Sequence, residues 1–327
     1  MRAATWLGLS CLLVASLAAG IAGGSVPLPV GLVARALLRG IGLGDGPPPE
    51  VQTIVWELRL PRVLLAAVVG ASLATSGAAY QALFRNDLAD PYLLGVSAGA
   101  ALGAVSAIAA GAGGLWVPVA AFTCALATVA IVFRIAHRAG TVRMEDLLLA
   151  GLALSALLGA GVSLLLVLAS GTLQQAMAWL VGGFGGRGWP HLAQAAPFAA
   201  LGYATVQTRW RELNILLLSE DEAWSLGVDV ARERRRLVAA ATLLGAASAS
   251  VAGLIGFVGL VVPHVVRRVL GPDHRTLIAG AALCGGALLV VADLVARTAA
   301  APLEVPVGVV TAFLGVPFFL WLLRRRS

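Results

Sequence analysis

The chain has 327 residues, of which 59% are hydrophobic and only 12% charged, and its mean hydropathy is +0.92; an average soluble domain carries roughly twice that share of charge. These values exclude a soluble globule, a disordered chain and a coiled coil, and three cysteines cannot build a disulfide framework. The net charge of +7 comes from arginine alone, since the chain has no lysine, and the arginines sit between apolar runs rather than on a polar face, which argues against nucleic-acid binding and for a topological role.

Arg2 precedes an apolar run over residues 5–24. It is longer than the h-region of a signal peptide, so it predicts a retained first helix, with cleavage near Gly23 as the alternative. Residues 25–55 carry Pro27, Pro29, Pro47, Pro48 and Pro49 and a short amphipathic stretch with Arg35 and Arg39, and read as an interfacial loop. Further apolar runs fall at 60–83, 92–111, 116–135, 145–169, 190–208, 237–254, 255–271, 276–296 and 304–323, each near the length of about 20 residues that a span needs. The run 255–271 is short and holds Pro263, so a broken or non-spanning helix competes there with a crossing. The pattern predicts an all-α membrane protein of about ten transmembrane helices, a single domain over 1–327 with no room for a soluble one.

With both termini on the cytoplasmic side, most arginines fall inside, including Arg134, Arg138 and Arg143, Arg232 and Arg234–Arg236, Arg267 and Arg268, and the terminal Arg324–Arg326. That agrees with the positive-inside rule and favours counting 255–271 as a crossing. A minority lies outside against the rule: Arg35, Arg39, Arg59, Arg62, Arg187 and Arg297.

The longest inner connection, 209–236, holds Glu220-Asp221-Glu222 and then Ala223-Trp224-Ser225-Leu226-Gly227. Ser219 can cap a short helix whose first turn carries the acids, and Gly227 can stop it. Such a helix can meet a soluble partner; a plain solvated loop is the alternative. Within the spans Asp293 precedes Arg297 by four residues, which predicts an ion pair on one helix face, with a proton-relay role as the competing reading. Gly95, Gly99 and Gly103 have the spacing of close helix packing, whereas Gly182-Gly183-Phe184-Gly185-Gly186 cannot sustain a helix and predicts a turn or re-entrant element on the outer side. The Asp87 and Asp90 spacing resembles a magnesium-diphosphate site of membrane prenyltransferases but has no second acidic cluster. The dispersed histidines and cysteines predict no metal site, and without lysine there is no Walker-type loop, so any ATP is hydrolysed on another chain.

The stretch Trp56-Glu57-Leu58-Arg59-Leu60-Pro61-Arg62, then Val69-Gly70-Ala71-Ser72, Arg85-Asn86, Leu88-Ala89-Asp90-Pro91 and Leu94-Gly95-Val96-Ser97, closely resembles the FecCD/BtuC family of ABC-importer permeases. The likeness resumes at Gly256-Phe257-Val258-Gly259-Leu260-Val261-Val262-Pro263-His264, Ala292-Asp293-Leu294-Val295-Ala296-Arg297 and Pro306-Val307-Gly308. The resemblance implies a multi-pass subunit of the cytoplasmic (inner) membrane, without catalysis of its own, that imports an iron-siderophore, haem or cobalamin. It implies a homodimer served by two cytoplasmic ABC ATPase subunits, which bind the ATP and Mg, and by an external substrate-binding protein; no cofactor is expected on this chain. By the same resemblance Arg59, Arg62 and Arg297 receive carboxylates of the binding protein. Ser219, Glu220, Ala223, Leu226 and Gly227 couple to the ATPase, and Asn86, Asp87 and Leu88 with Met144 and Glu145 form the cytoplasmic gate. Asp87 stands where relatives usually have proline. Gly182, Gly183, Phe184, Gly185 and Gly186 shape an outer gate that looks more like that of cobalamin permeases than of most siderophore ones. A proton-coupled secondary transporter is the rival reading, and a membrane prenyltransferase the more distant one.

Overall fold

The computed structural model describes residues 2–43, 46–138 and 141–324. Its helices are α1 (Arg2–Ala22), α2 (Val30–Gly40), α3 (Pro49–Thr53), α4 (Leu60–Leu83), α5 (Val96–Ala109), α6 (Trp116–Ala136), α7 (Met144–Leu168), α8 (Leu173–Leu180), α9 (Trp189–Thr208), α10 (Trp210–Ile215), α11 (Glu220–Ser225), α12 (Val230–Ala252), α13 (Val258–Leu270), α14 (His274–Thr298) and α15 (Val307–Arg324). A two-residue ladder pairs His137–Arg138 with Thr141–Val142. Among the described residues five helical segments are long and apolar enough to cross a membrane: 3–22, 49–83, 116–136, 144–168 and 274–298.

The interfacial loop expected over 25–55 is shorter than that. A helix begins at Pro49, whose fixed φ suits the first helical position, and runs unbroken through a π-helical stretch, Ile54–Arg59, into α4, making one rod from Pro49 to Leu83. Pro61 explains the π stretch. It has no N–H to donate and its ring crowds the preceding turn, which widening relieves. The Leu60 N–H therefore reaches back to the Val55 carbonyl. The Trp56 carbonyl is left without a helical donor and accepts instead from Trp189 Nε1 at 3.1 Å, while the two indoles pack with centroids 6.2 Å apart.

This rod is the centre of the bundle. It packs closely on α14, where a Cβ on Gly70 would strike the Gly285 carbonyl and one on Gly285 the Gly70 carbonyl, and on α13, where Gly77 faces the Gly259 carbonyl. In lipid such close backbone approach, not hydrophobic expulsion, drives helix association. Polar pins reinforce it: the Ser76 hydroxyl donates to the Ala241 carbonyl at 2.7 Å, and Tyr80 Oη lies 2.7 Å from Thr242 Oγ1. Gly99 and Gly103 seat α5 on α6 in the same way. By contrast α7 shows Leu149, Leu152, Leu157 and Leu164 outward, and α15 shows Phe313 and Leu320; these are faces for lipid or another chain.

The segment 255–271 is a helix of 13 residues, about 20 Å long and short of a hydrocarbon core of about 30 Å. A non-helical break over 253–257, with Gly253 and Phe257 at positive φ, separates it from α12. The chain nonetheless returns to its starting end, because Arg267 near the foot of α13 pairs with Asp87 just beyond the foot of α4.

Candidate docking, gate and coupling sites

At one end of the bundle Arg62 and Arg297 converge on a single buried acid. Asp293 on α14 is 0% exposed. Arg297, one turn on, meets it at 3.1 Å, the expected i,i+4 pair, and Arg62 on α4 meets it at 2.9 Å. Arg62 also grips Glu304, just before α15, through two bonds of 2.9 Å, so one guanidinium bridges α4, α14 and the start of α15. Its side chain is 11% exposed and that of Glu304 42%.

Arg59 and Arg297 have a different environment. Both are buried, and both point at the end of α1, whose last carbonyls have no helical partners. Arg59 donates to the carbonyls of Ile21 (3.1 Å), Ala22 (2.8 Å) and Val26. Arg297 donates to those of Gly20 (3.0 Å) and Gly23 (3.4 Å). Of the three arginines singled out in the sequence, Arg62 alone combines an outward fork with an exposed partner; the other two cap α1. Glu304 escaped the sequence reading because the last apolar run absorbed it, although a lone acid facing Arg297 across a short connection was a usable signal.

Close by, the glycine cluster forms a turn between α8 and α9, not a helix. Gly182, at φ +70, abuts the Leu254 carbonyl, and the Gly183 N–H donates to the Ala252 carbonyl at 2.7 Å. Gly308 at the start of α15 leans on the Val181 carbonyl. The turn is thus keyed into the break between α12 and α13, with Phe184 buried and Gly185 and Gly186 exposed. Above it lies a cavity of about 490 Å³ whose walls include Arg62, Trp179, Arg187, His191 and Glu304. A second, apolar hollow of about 520 Å³ runs between the end of α8 and α15, lined by Val181, Leu254, Phe313 and Pro317 among others.

At the opposite end the loop after α4 is held by its own side chains. Arg85 adopts φ +48, Asn86 Oδ1 accepts from the Leu88 N–H at 3.0 Å, and Asp90 Oδ1 from the Tyr92 N–H at 2.9 Å. Burial pushes the Asp90 carboxyl above its ordinary range, partly offset by the Tyr92 bond. Asp87 makes an ion pair of 2.7 Å with Arg267, which also donates to Gln81 Oε1 at 3.1 Å. A cross-helix strap therefore stands where a proline was expected. Met144 opens α7 and packs on the apolar core, while Glu145 is exposed beside Arg143. The loop meets α7 further along, at Gly151, where a Cβ would lie 3.0 Å from the Leu93 carbonyl.

The connection 209–236 holds the capped helix expected of it. Ser219 Oγ accepts from the Glu222 N–H at 3.3 Å, and Glu222 Oε2 accepts from the Ser219 N–H at 2.9 Å, a reciprocal capping box. The Ser219 hydroxyl also donates to Glu222 Oε2 at 2.7 Å, and this bond, with the one from the Ser219 N–H, holds the Glu222 carboxyl below its ordinary range. Gly227, at φ +77, ends the helix; the Glu220 side chain lies outside the described residues. Ala223 is the seat, 1% exposed, whereas Trp224 is 78% exposed with Leu226 beside it. The sequence reading named Ala223 and Leu226 and missed Trp224. Arg85 ties this segment to the loop after α4 by donating to the carbonyls of Leu216 (3.0 Å) and Leu218.

Fold and sites define a multi-pass helical membrane protein with a charged cluster at one end and a tethered helix with an exposed apolar face at the other. The chain belongs to the FecCD transport family, whose profile it matches over residues 11–325. It is 47% identical to the cobalamin import system permease protein BtuC of Halobacterium salinarum, over 94% of this chain and 82% of that one. It is 44% identical to the hemin transport system permease protein HmuU of Yersinia pestis, over 83% and 84%. A solved metal-chelate type ABC transporter in an inward-facing conformation superposes with a TM-score of 0.87 at 31% identity, covering 98% of each chain. The chain is accordingly a membrane permease of the ABC-importer class.

Proposed function

We propose that this chain is the membrane-spanning subunit of an ATP-driven importer of a metal chelate such as cobalamin or haem, working as a homodimer with two ATPase subunits and an external binding protein. The observation that carries this reading is the connection at the Arg85 end. A six-residue helix, too short to be stable alone, is held by a capping box, a buried alanine and an arginine tether, and it spends that order on presenting Trp224 to solvent. An exposed indole on a rigid mount is the composition of an interface hot spot. Its tie to the loop around Asp87 gives a route by which ATPase closure reaches the gate.

At the other end the binding protein's carboxylates would compete with Glu304 for the outward fork of Arg62, while Arg59 and Arg297 hold α1 and Asp293 in place behind it. Bidentate capture of a carboxylate suits arginine. The apolar hollow along α15 suits a pathway wall completed by a second copy. The rival proton-coupled transporter needs a carboxylate free to take up a proton; Asp293, clamped between two guanidiniums, is poorly suited to that. The test is reconstitution with Trp224→Ala: the chain should insert and fold normally, while ATPase association and uptake are lost. Retained ATP-driven uptake would overturn the coupling assignment.

A further inference from the structure

The cavity at the Arg62 end holds a cation that the docking account leaves unused. Arg187 lies in the turn before α9 and lines the cavity. It makes no ion pair among the described residues: its Nη1 lies 3.2 Å from His191 Nε2 and its Nε has no acceptor. Burial lowers its pKa, a sign that the charge is held at a cost. The acid in the cavity wall, Glu304, has both oxygens engaged by Arg62. Donors are in surplus throughout. Trp179 Nε1 has no acceptor, and both ring nitrogens of His191 face donors, the Gly188 N–H at 3.4 Å and the Arg187 guanidinium. A neutral imidazole can accept at only one of them. A half-buried cation whose enclosed Nε meets only donors is costly unless an anionic acceptor arrives.

We propose that this cavity is an anion-accepting subsite, in which Arg187, with His191 and Trp179 beside it, receives a carboxylate or phosphate group borne by the cargo as it enters. The assignment of the anion to the cargo rests on the permease reading; the existence of the site does not. The cavity's volume admits such a group with part of a larger ligand. The inference also separates the two arginines of this wall: Arg62 is already neutralised by acids of its own chain, and Arg187 waits for one from outside.

The test uses the purified full chain in dodecyl maltoside, which has no headgroup phosphate, with iodide as the anionic probe and neutral acrylamide as its control. The Trp179 signal is the difference between the chain and its Trp179→Phe variant. Arg187→Gln should reduce iodide quenching of that signal about threefold, as expected for loss of local anion enrichment by one charge, and leave acrylamide quenching unchanged. Arg187→Lys should retain most of it, and citrate should protect the wild-type chain. Iodide quenching insensitive to Arg187→Gln, or no protection by citrate, overturns the site. In the complete transporter, Arg187→Gln should raise the KM for cargo about tenfold, as for loss of one charge-assisted hydrogen bond, without weakening docking of the binding protein. Weakened docking instead would assign the anion to that protein and overturn the cargo assignment. If the wild-type transporter shows no ATP-driven uptake, the permease reading fails while the iodide arm still decides the subsite.

Discussion

The two ends of the molecule use arginine in opposite ways. At the Arg62 end Arg59 and Arg297 are turned inward onto the carbonyls of α1, and Arg62 shares Asp293 with Arg297 while its fork reaches outward to Glu304. At the other end Arg85 and Arg267 tie loops to one another across partly exposed surface. The first set holds helices in register within an apolar medium, where an unpaired charge is expensive. The second ties the loop after α4 to the 216–218 segment and to α13. An arginine that the sequence places against the positive-inside trend is therefore marked as special without showing whether it faces a partner or its own chain.

That contrast can be broken first at Asp293. Asp293→Ala leaves two guanidiniums without their shared acid and should destabilise the fold by roughly 3–5 kcal/mol, the cost of stripping one partner from a buried ion pair; thermal unfolding of the purified chain measures it. Arg59→Gln should follow at about 2 kcal/mol, because three carbonyls around the end of α1 lose a charged donor. Arg62→Gln sharpens the comparison. It should destabilise the fold less than Asp293→Ala, because Arg297 still pairs the acid, and weaken docking of the binding protein about tenfold, so a larger docking loss for Arg59→Gln than for Arg62→Gln would reverse the account.

At the opposite end Trp224→Ala should spare the unfolding transition and weaken ATPase association by about 2 kcal/mol, read by co-purification or titration. The smallest effect belongs to the capping box. Ser219→Ala should cost about 1 kcal/mol of local helix stability, read as faster hydrogen exchange over 220–226. Because Glu222 is held below its ordinary pKa, its contribution is present above the ordinary carboxylate range and lost as pH falls through the depressed value. Protection of the helix amides relative to their intrinsic exchange rate should therefore be flat near neutrality and fall only in acid, and Glu222→Gln should remove that acid dependence.

Much of this architecture was legible in the sequence because apolar length, caps and glycine spacing act locally. The capping box at Ser219, the stop at Gly227 and the Asp293–Arg297 pair each depend on residues within a turn or two. What escaped depends on distant chain. Arg59 is buried because helix α1, some forty residues earlier, ends with open carbonyls beside it, and nothing in the sequence around Arg59 records that. Glu304 was hidden in the last apolar run, and its role appears only when α4 and α15 are placed side by side. The helix start at Pro49 was missed for another reason: a proline-rich segment reads as loop, although its last proline is well suited to begin a helix and Pro61 needs only a π turn to be accommodated.

The most direct test of the central claim is cargo uptake into proteoliposomes. Vesicles holding this chain with its ATPase, supplied with ATP and the binding protein, should accumulate the chelate, and vesicles holding the chain alone should not do so under any imposed proton gradient. Concentrative uptake by the chain alone, driven by that gradient, would contradict the account.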